Sequence, residues 1–360
     1  GVWQLMGTSI FREWAARQPW WLPETAEHPR VILASKVTLA RNLRGLRFPP
    51  FGGDAATAER ACYLVKDLLS QSEVLLDTLE LEPRAMPPEQ RLFLVERGLL
   101  RHEFVHGASD SLAFVALDER RSFVINDTDH LRASIMADGL AVLPLQEQVA
   151  ALAARLALRA DFSMDKEFGH VTAQASELGT GVVFSVLMHL PAMKMRGYLP
   201  AAAQAAEMMG IKLMPVFEKQ DEHVAALYQL RNLRTMGWSE RLAAERVQQF
   251  ATRLCWHEDN ARDTLLSGGS LKLCDSVGRA RGILKGAFML SAPEARELLS
   301  RLWLGAECGL LKQFSTADRI CRALALSGDS SLGYLLGPGA SETDMAMLRA
   351  RWLKQILDWE

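Results

Sequence analysis

The hydrophobic period of the chain changes twice. Between residues 57 and 79 (TAERACYLVKDLLSQSEVLLDTL) apolar positions return every third or fourth residue, which predicts an amphipathic helix. A shorter helix is expected over 89–100, after the Pro87-Pro88 break. From 111 to 137 the period shortens, and SLAFVAL, RSFVI and HLRASIM are β-type runs separated by the polar turns DERR and NDTD. LQEQVAALAARLALRA (145–160) predicts a helix and VVFSVLMHL (182–190) a buried strand. A helix over 199–209 ends at Gly210, and IKLMPVF and AALYQLRNL follow as strands. Ser239 opens a capping-type sequence, SERLAAERV, and beyond it the β signal is lost. Helices are expected over 240–266, 270–290, 292–312, 315–326 and 341–359, broken by SGG, LSAP and the loop SGDSSLGYLLGPGAS. Runs of strands with a few helices, then helices alone, predict an α+β domain over 1–250, its part up to about residue 100 small and helical, and a helical C-terminal domain over 251–360.

Composition narrows the function classes more than the fold. With 49% hydrophobic and 23% charged residues, the chain reads as an ordinary globular protein. A net charge of −2 leaves no footprint for nucleic acid or an anionic membrane, and the basic run Lys36, Arg41, Arg44, Arg47 is short, with Arg41, Arg44 and Arg47 reading as a solvated face. No apolar run approaches a membrane span, and the first residues lack the pattern of a signal peptide. Five cysteines without a CxxC pair suit free thiols in a reducing cytoplasm, most of them buried in helices.

The candidate chemistry lies in NDTDHLR (126–132), at the end of the run RSFVI. Together with ASKVTLARNL (34–43), GHVTAQASELGTGVVFSVLMHLPAM (169–193) and LYQLRNLRTMGWSE (227–240), it resembles the ATP:guanido phosphotransferases. RARGILKGAFMLSAPEARELLSRLWLGAECGLL (279–311) is similar to the C-terminal domain of the protein arginine kinase branch of that family. The resemblance implies an antiparallel sheet flanked by helices, followed by an all-helical domain.

It also implies a reaction. Moving a phosphoryl group from ATP to a guanidinium requires carboxylates that hold the guanidinium and take its proton, and arginines that clamp the triphosphate. The family's catalytic motif reads Asn-Glu-Glu-Asp-His. Here it is Asn126, Asp127, Thr128, Asp129, His130, with a threonine hydroxyl at the position of the catalytic base. The second catalytic glutamate aligns with Lys219, of reversed charge, and a one-residue slip would place Glu218 there. Of the phosphate arginines, Arg132 is retained, Lys36 is a lysine substitute, and Thr38, Val183 and Met214 carry no charge. Gln174 replaces the activating cysteine, and Glu177 adds negative charge near the expected phosphates. His189 belongs to the same nucleotide-side set, whereas Arg41, Asn42, Gly179-Thr180-Gly181, Tyr228 and Asn232 fit the family's scaffold.

Retained scaffold with altered chemistry implies a pseudokinase, a cytoplasmic subunit with regulatory or scaffolding action. No cofactor is expected. One rival is an active protein arginine kinase that uses Mg-ATP through Asp127, Asp129 and Glu177. Another is a small-molecule sensor that uses the old cleft. Partners implied by the resemblance are a second copy, an active arginine kinase, a zinc-finger activator or a Clp-type unfoldase. Trp303, Leu304, Trp352 and Trp359 are candidates for an exposed interaction face. Two further motifs read as incidental. HExxH at 102–106 is followed by Gly107 and Ser109, a poor helix continuation for a zinc site. The phosphoarginine motif of the C-terminal domain keeps Asp344 but has Thr343 and Met347 for its arginines, and a shift to Arg349-Ala350 loses its first half.

Overall fold

A computed structural model describes residues 10–17, 19–21, 31–49, 55–101, 111–219, 222–223, 225–267, 271–311, 317–336 and 340–357. Its centre is an eight-stranded sheet of order β2-β3-β4-β5-β1-β8-β12-β9, antiparallel at every pairing. The strands are β1 (Ile32–Arg41), β2 (Thr78–Leu81), β3 (Leu112–Ala116), β4 (Arg121–Ile125), β5 (Leu131–Asp138), β8 (Val182–His189), β9 (Ile211–Pro215) and β12 (Leu227–Asn232). Two small hairpins, β6 (Met164–Asp165) with β7 (Gly169–His170) and β10 (Glu218–Lys219) with β11 (Glu222–His223), complete the strands of the described residues. The α+β class and the helical C-terminal part are as the sequence predicts.

β1 occupies the middle of the sheet, between β5 and β8. Periodicity assigns it no element, because Ser35, Lys36 and Thr38 interrupt the apolar run ILASKVTLAR. Leu33, Val37 and Leu39 point into the main core, and Lys36 and Thr38 point to the other face. The helix predicted over 57–79 is α2 (Ala55–Gln71), which stops early. Glu73 and Asp77 take φ of 55° and 57°, a left-handed backbone that ends the helix and turns the chain into edge strand β2. The next helix, α3 (Pro88–Glu96), likewise ends before residue 100. Gly98 at φ 70° closes it in a Schellman turn, with Leu99 N–H donating to Leu94 and Gly98 N–H to Val95. Helix α1 (10–16) and α3 then cover one face of β3–β5 in a second core, Phe11, Trp14, Phe93, Leu94, Leu99 and Leu100 against Ala113, Val115, Val124 and Met136.

The remaining helices are α4 (Val142–Ala157), α5 (Pro191–Met195), α6 (Leu199–Met208), α7 (Glu240–Ser267), α8 (Leu271–Gly286), α9 (Ala292–Glu307), α10 (Ala317–Leu326), α11 (Asp329–Leu336) and α12 (Glu342–Leu357). α11 lies within the stretch expected to be a loop, where Ser and Gly mask eight helical residues begun by Asp329. The boundary expected near residue 250 falls inside α7, which runs unbroken through it. One core joins sheet residues such as Val186, Met188 and Leu230 to Leu254, Leu298, Leu302 and Trp303 of the C-terminal helices. Trp303 and Leu304, expected on an exposed face, are therefore core residues at 0% and 1% exposure. Trp352 is half-buried, Trp359 lies outside the described residues, and the exposed tryptophan of this region is Trp256 at 64%. Of the cysteines expected to be mostly buried, Cys62, Cys255 and Cys308 are half-buried and Cys274 is exposed.

The join between sheet and C-terminal helices is polar at two points. Glu258 of α7 accepts the N–H groups of Ala192 (3.0 Å) and Met193 (2.9 Å) at the start of α5 and pairs with Arg262 at 2.9 Å. His189, at the end of β8, hydrogen-bonds Ser300 of α9 through Nε2 at 2.8 Å and stacks on Trp303 with ring centroids 4.0 Å apart. Burial, then Arg262 and Lys194, hold the His189 pKa well below its ordinary value. The folded chain therefore keeps His189 neutral below about pH 6.5, where the unfolded chain takes up a proton, and stability falls as pH drops by up to about 1.4 kcal/mol per unit. Urea titrations at pH 7 and pH 5.5 are expected to show a larger acid loss for the native chain than for His189→Gln. Equal losses would remove His189 as the linked group; His130 and His170, also held low by burial, contribute to both proteins alike.

Candidate functional site

The face of the sheet opposite the main core carries the candidate residues. Strand alternation places Lys36 and Thr38 on this side of β1, and the register sets Thr38 between Ser134 of β5 and Val183 of β8. Thr38 and Ser134 share a hydrogen bond of 3.1 Å, and Val183 is half-buried beside them. Lys36 donates from Nζ to the carbonyl of Gly98 at 2.7 Å, so the Schellman turn of α3 closes directly over it. Burial first, then Arg132 and Arg101, lower its pKa to about 8.

Arg132 is the centre of the cluster and is 6% exposed. It pairs with Glu177 Oε2 at 2.7 Å, Asp129 Oδ2 at 3.3 Å and, through Nε, Asp127 Oδ2 at 3.3 Å. Burial is the largest single influence on its charge and opposes it, but Glu177, Asp129 and Asp127 together outweigh burial and raise its pKa. Arg101 lies 3.5 Å from Asp127 and donates to the Thr128 hydroxyl at 3.3 Å, while that hydroxyl donates to Asp129 at 3.2 Å. With its amide oriented to suit its neighbours, Gln174 donates to Glu177 at 3.2 Å and accepts from Arg101 at 3.1 Å. Three cations (Lys36, Arg101, Arg132) thus stand with three carboxylates (Asp127, Asp129, Glu177), and the cluster is neutral by itself.

Asp129 and His130 build the turn that holds these groups. Asp129 Oδ1 accepts from Asn42 at 2.7 Å and from Ala173 N–H at 2.8 Å. His130 accepts Leu43 N–H at Nδ1 (3.1 Å), so its Nε2 carries the proton and donates to Arg47 O at 3.0 Å. Burial lowers its pKa, and both ring nitrogens are committed to backbone. Gly179-Thr180-Gly181 is a packing device. At φ 109°, Gly179 would set a Cβ 2.6 Å from Thr235 O, and Gly181 would set one 2.7 Å from Ala40 O. Arg41, expected on a solvated face, is 4% exposed and donates to Thr180 O at 2.8 Å. Arg44 does lie at the surface, 3.4 Å from Asp161.

The structure therefore gathers Lys36, Thr38, Thr128, Asp129, Arg132 and Gln174, with His130 behind them and Val183 alongside. His189 stands apart at the α9 interface, and Met214 lies two strands beyond β8, opposite Gln229. Lys219 belongs to the β10–β11 hairpin, and its side chain lies outside the described residues, as does the HExxH stretch. Asp344 is a helix cap: it accepts Ser341 N–H (3.0 Å) and Oγ–H (2.6 Å), and its own N–H returns to Ser341 Oγ at 3.1 Å. Arg349 is buried, donating to Ser327 O (2.8 Å) and Leu290 O (2.7 Å) and pairing with Asp329. The residue that sequence reasoning missed is Arg101. It ends a segment with no motif of its own, and its role arises only where α3 crosses the sheet.

Comparison with known proteins agrees with this layout. Residues 62–261 match ATP:guanido phosphotransferase, C-terminal catalytic domain, and residues 270–359 match Protein-arginine kinase McsB C-terminal domain. The chain is 26% identical over 339 residues to a protein-arginine kinase of Halothermothrix orenii, covering 94% of this chain and 96% of that one. It is 29% identical over 295 residues to a protein-arginine kinase of Moorella thermoacetica, covering 81% and 84%. A lombricine kinase crystal structure shares the fold, with a TM-score of 0.56, 18% identity and 71% of each chain covered. The sheet, the ordered motifs and the matched span together place the chain in the ATP:guanido phosphotransferase family, with a C-terminal domain of the protein-arginine kinase McsB type.

Proposed function

We propose that this family member is a catalytically inactive pseudokinase that acts as a regulatory or scaffolding subunit. The observation that carries the reading is the state of Arg132: the retained phosphate arginine is matched by Glu177, Asp129 and Asp127 within the protein. An arginine so paired has no charge left for a triphosphate, and the same carboxylates are not free to take a proton or hold a guanidinium. They fit a Mg²⁺-bound triphosphate no better, since Asp129 is also bound by Asn42 and Ala173 N–H. Thr128 supplies a hydroxyl where the reaction needs a base, a loss of about 10²–10⁴-fold, and each absent transition-state arginine costs on the order of 10³–10⁵. These losses do not simply multiply, because such residues act as a unit.

The rival reading, an active protein-arginine kinase, draws on the names of the relatives. It requires the Arg132 cluster to open. Incubation of the full chain with Mg-ATP and an arginine-rich protein substrate, read by phosphoarginine mass spectrometry, is expected to give no signal above a no-enzyme control. Thr128→Glu is expected to give none either, because a restored base still faces an unclamped γ-phosphate. Phosphoarginine from the unmodified chain, abolished by Asp129→Asn, overturns the pseudokinase reading. Clear turnover from Thr128→Glu alone shows the clamp intact and overturns the role given to the Arg132 cluster. The partner classes we favour are an active arginine kinase or a second copy of the chain, and regulation is checked by the rate of an active family member with and without this protein.

A further inference from the structure

Helices of the N-terminal and C-terminal parts enclose a cavity of about 170 Å³. Among the described residues its apolar lining is Ala15 and Ala16 of α1, Leu326 of α10, Leu332 of α11, and Trp352 and Ile356 of α12. The room comes from a mismatch of size. α1 presents two alanines where α12 presents a tryptophan and an isoleucine, and both large side chains are left half-buried. Apolar surface kept from contact in this way is a cost that a guest with an apolar body removes.

Among the described residues, two polar groups interrupt this lining. Arg322 of α10 is exposed at the rim and pairs with no carboxylate of those residues. Ser331 of α11 is 6% exposed, and among the described residues its hydroxyl has no hydrogen-bond partner. Buried hydroxyls are normally bonded, so Ser331 is an independent sign of a guest beside Arg322. The neighbouring Ser330 turns elsewhere, to Glu96 of α3. Arg349 of α12 is outside the lining, committed to the Ser327 and Leu290 carbonyls and to Asp329.

We propose that this cavity binds a small carboxylate whose body is a single six-membered ring. A cavity of about 150 Å³ accepts benzene, so the space here suits one ring rather than a fused pair. Trp352 favours an aromatic ring, which it can meet by face or edge. Charge decides the head group. One guanidinium and one hydroxyl match a singly charged carboxylate, whereas a doubly charged phosphoryl group calls for further cations. α1 is already tied to the end of α3, where Arg97 donates to the Trp14 and Arg17 carbonyls. A ligand in the cavity therefore holds the N-terminal helix against α10, α11 and α12. The site shares no residue with the Arg132 cluster, so this proposal and the pseudokinase reading can fail separately.

Calorimetry of the full chain with sodium benzoate is expected to show saturable binding with a Kd of about 1 mM or tighter, and benzoate is expected to raise the melting temperature. Arg322→Gln, at an exposed position, is expected to weaken binding about three- to tenfold. Ala16→Phe, also exposed, fills the mouth and is expected to abolish binding without lowering the melting temperature. Benzyl alcohol, of similar size but uncharged, is expected to bind more weakly than benzoate and equally to the native chain and Arg322→Gln. No saturable binding of benzoate overturns the site, as does binding that Ala16→Phe leaves unchanged. Benzyl alcohol bound as tightly as benzoate, or benzoate affinity unmoved by Arg322→Gln, overturns the carboxylate assignment.

Discussion

A chain ended at residue 250 is expected to lose cooperative folding. Composition suggests a clean break there, but the cut would sever α7 in its first half and remove α9 entirely. The N–H groups of Ala192 and Met193 would lose the Glu258 carboxylate, and His189 would lose Ser300 and the stacked Trp303. Sheet residues Val186, Met188 and Leu230 would lose a core shared with Leu254, Leu298 and Leu302. Removing one buried tryptophan typically costs about 3–5 kcal/mol, against a total stability of about 5–15 kcal/mol for a domain. Several such losses at once leave nothing to hold the sheet. Urea titration followed by circular dichroism is expected to give no sigmoidal transition for residues 1–250, and a dye that binds exposed apolar surface is expected to bind the fragment. A cooperative transition of that fragment would show that the sheet folds without its C-terminal partner. Trp303→Ala in the full chain is the milder companion, expected to lower stability by about 3–5 kcal/mol.

Arg132→Met is expected to destabilise the full chain by about 3–5 kcal/mol at pH 7, since it leaves Asp127, Asp129 and Glu177 buried without their shared cation. The sign of this effect separates two roles. An arginine held ready for a ligand repels its neighbours, and its removal is neutral or stabilising; an arginine that neutralises carboxylates is missed when it goes. Equal stability of the two proteins at pH 7 would show that the cluster is not held by Arg132.

Much of the fold is legible in local pattern. The alternation in SLAFVAL, RSFVI and HLRASIM predicts β3, β4 and β5, and the 3.6-residue period predicts α4 and α7, because each period reports which side of an element meets the core. β1 was not legible, since a central strand with Lys36 and Thr38 on its second face reads as neither period. The early end of α2 was hidden as well, because the left-handed backbone at Glu73 interrupts an apolar pattern that continues to Leu79.

For the site, the sequence by itself determined which side chains stand in the motifs: Thr128 has no carboxylate, and Thr38, Val183 and Met214 have no charge, whatever their surroundings. Only the tertiary structure decided what the remaining charges do. Arg132 and Glu177 are 45 residues apart in sequence and 2.7 Å apart in space, and Lys36 meets the Gly98 carbonyl across 62 residues. Arg231 and Lys212 face one another because β9 and β12 pair in a single register. Hydrophobic period is a local property of the chain, so it can be read along it; electrostatic pairing depends on distance through space, which exists only once the strands and helices have been brought together.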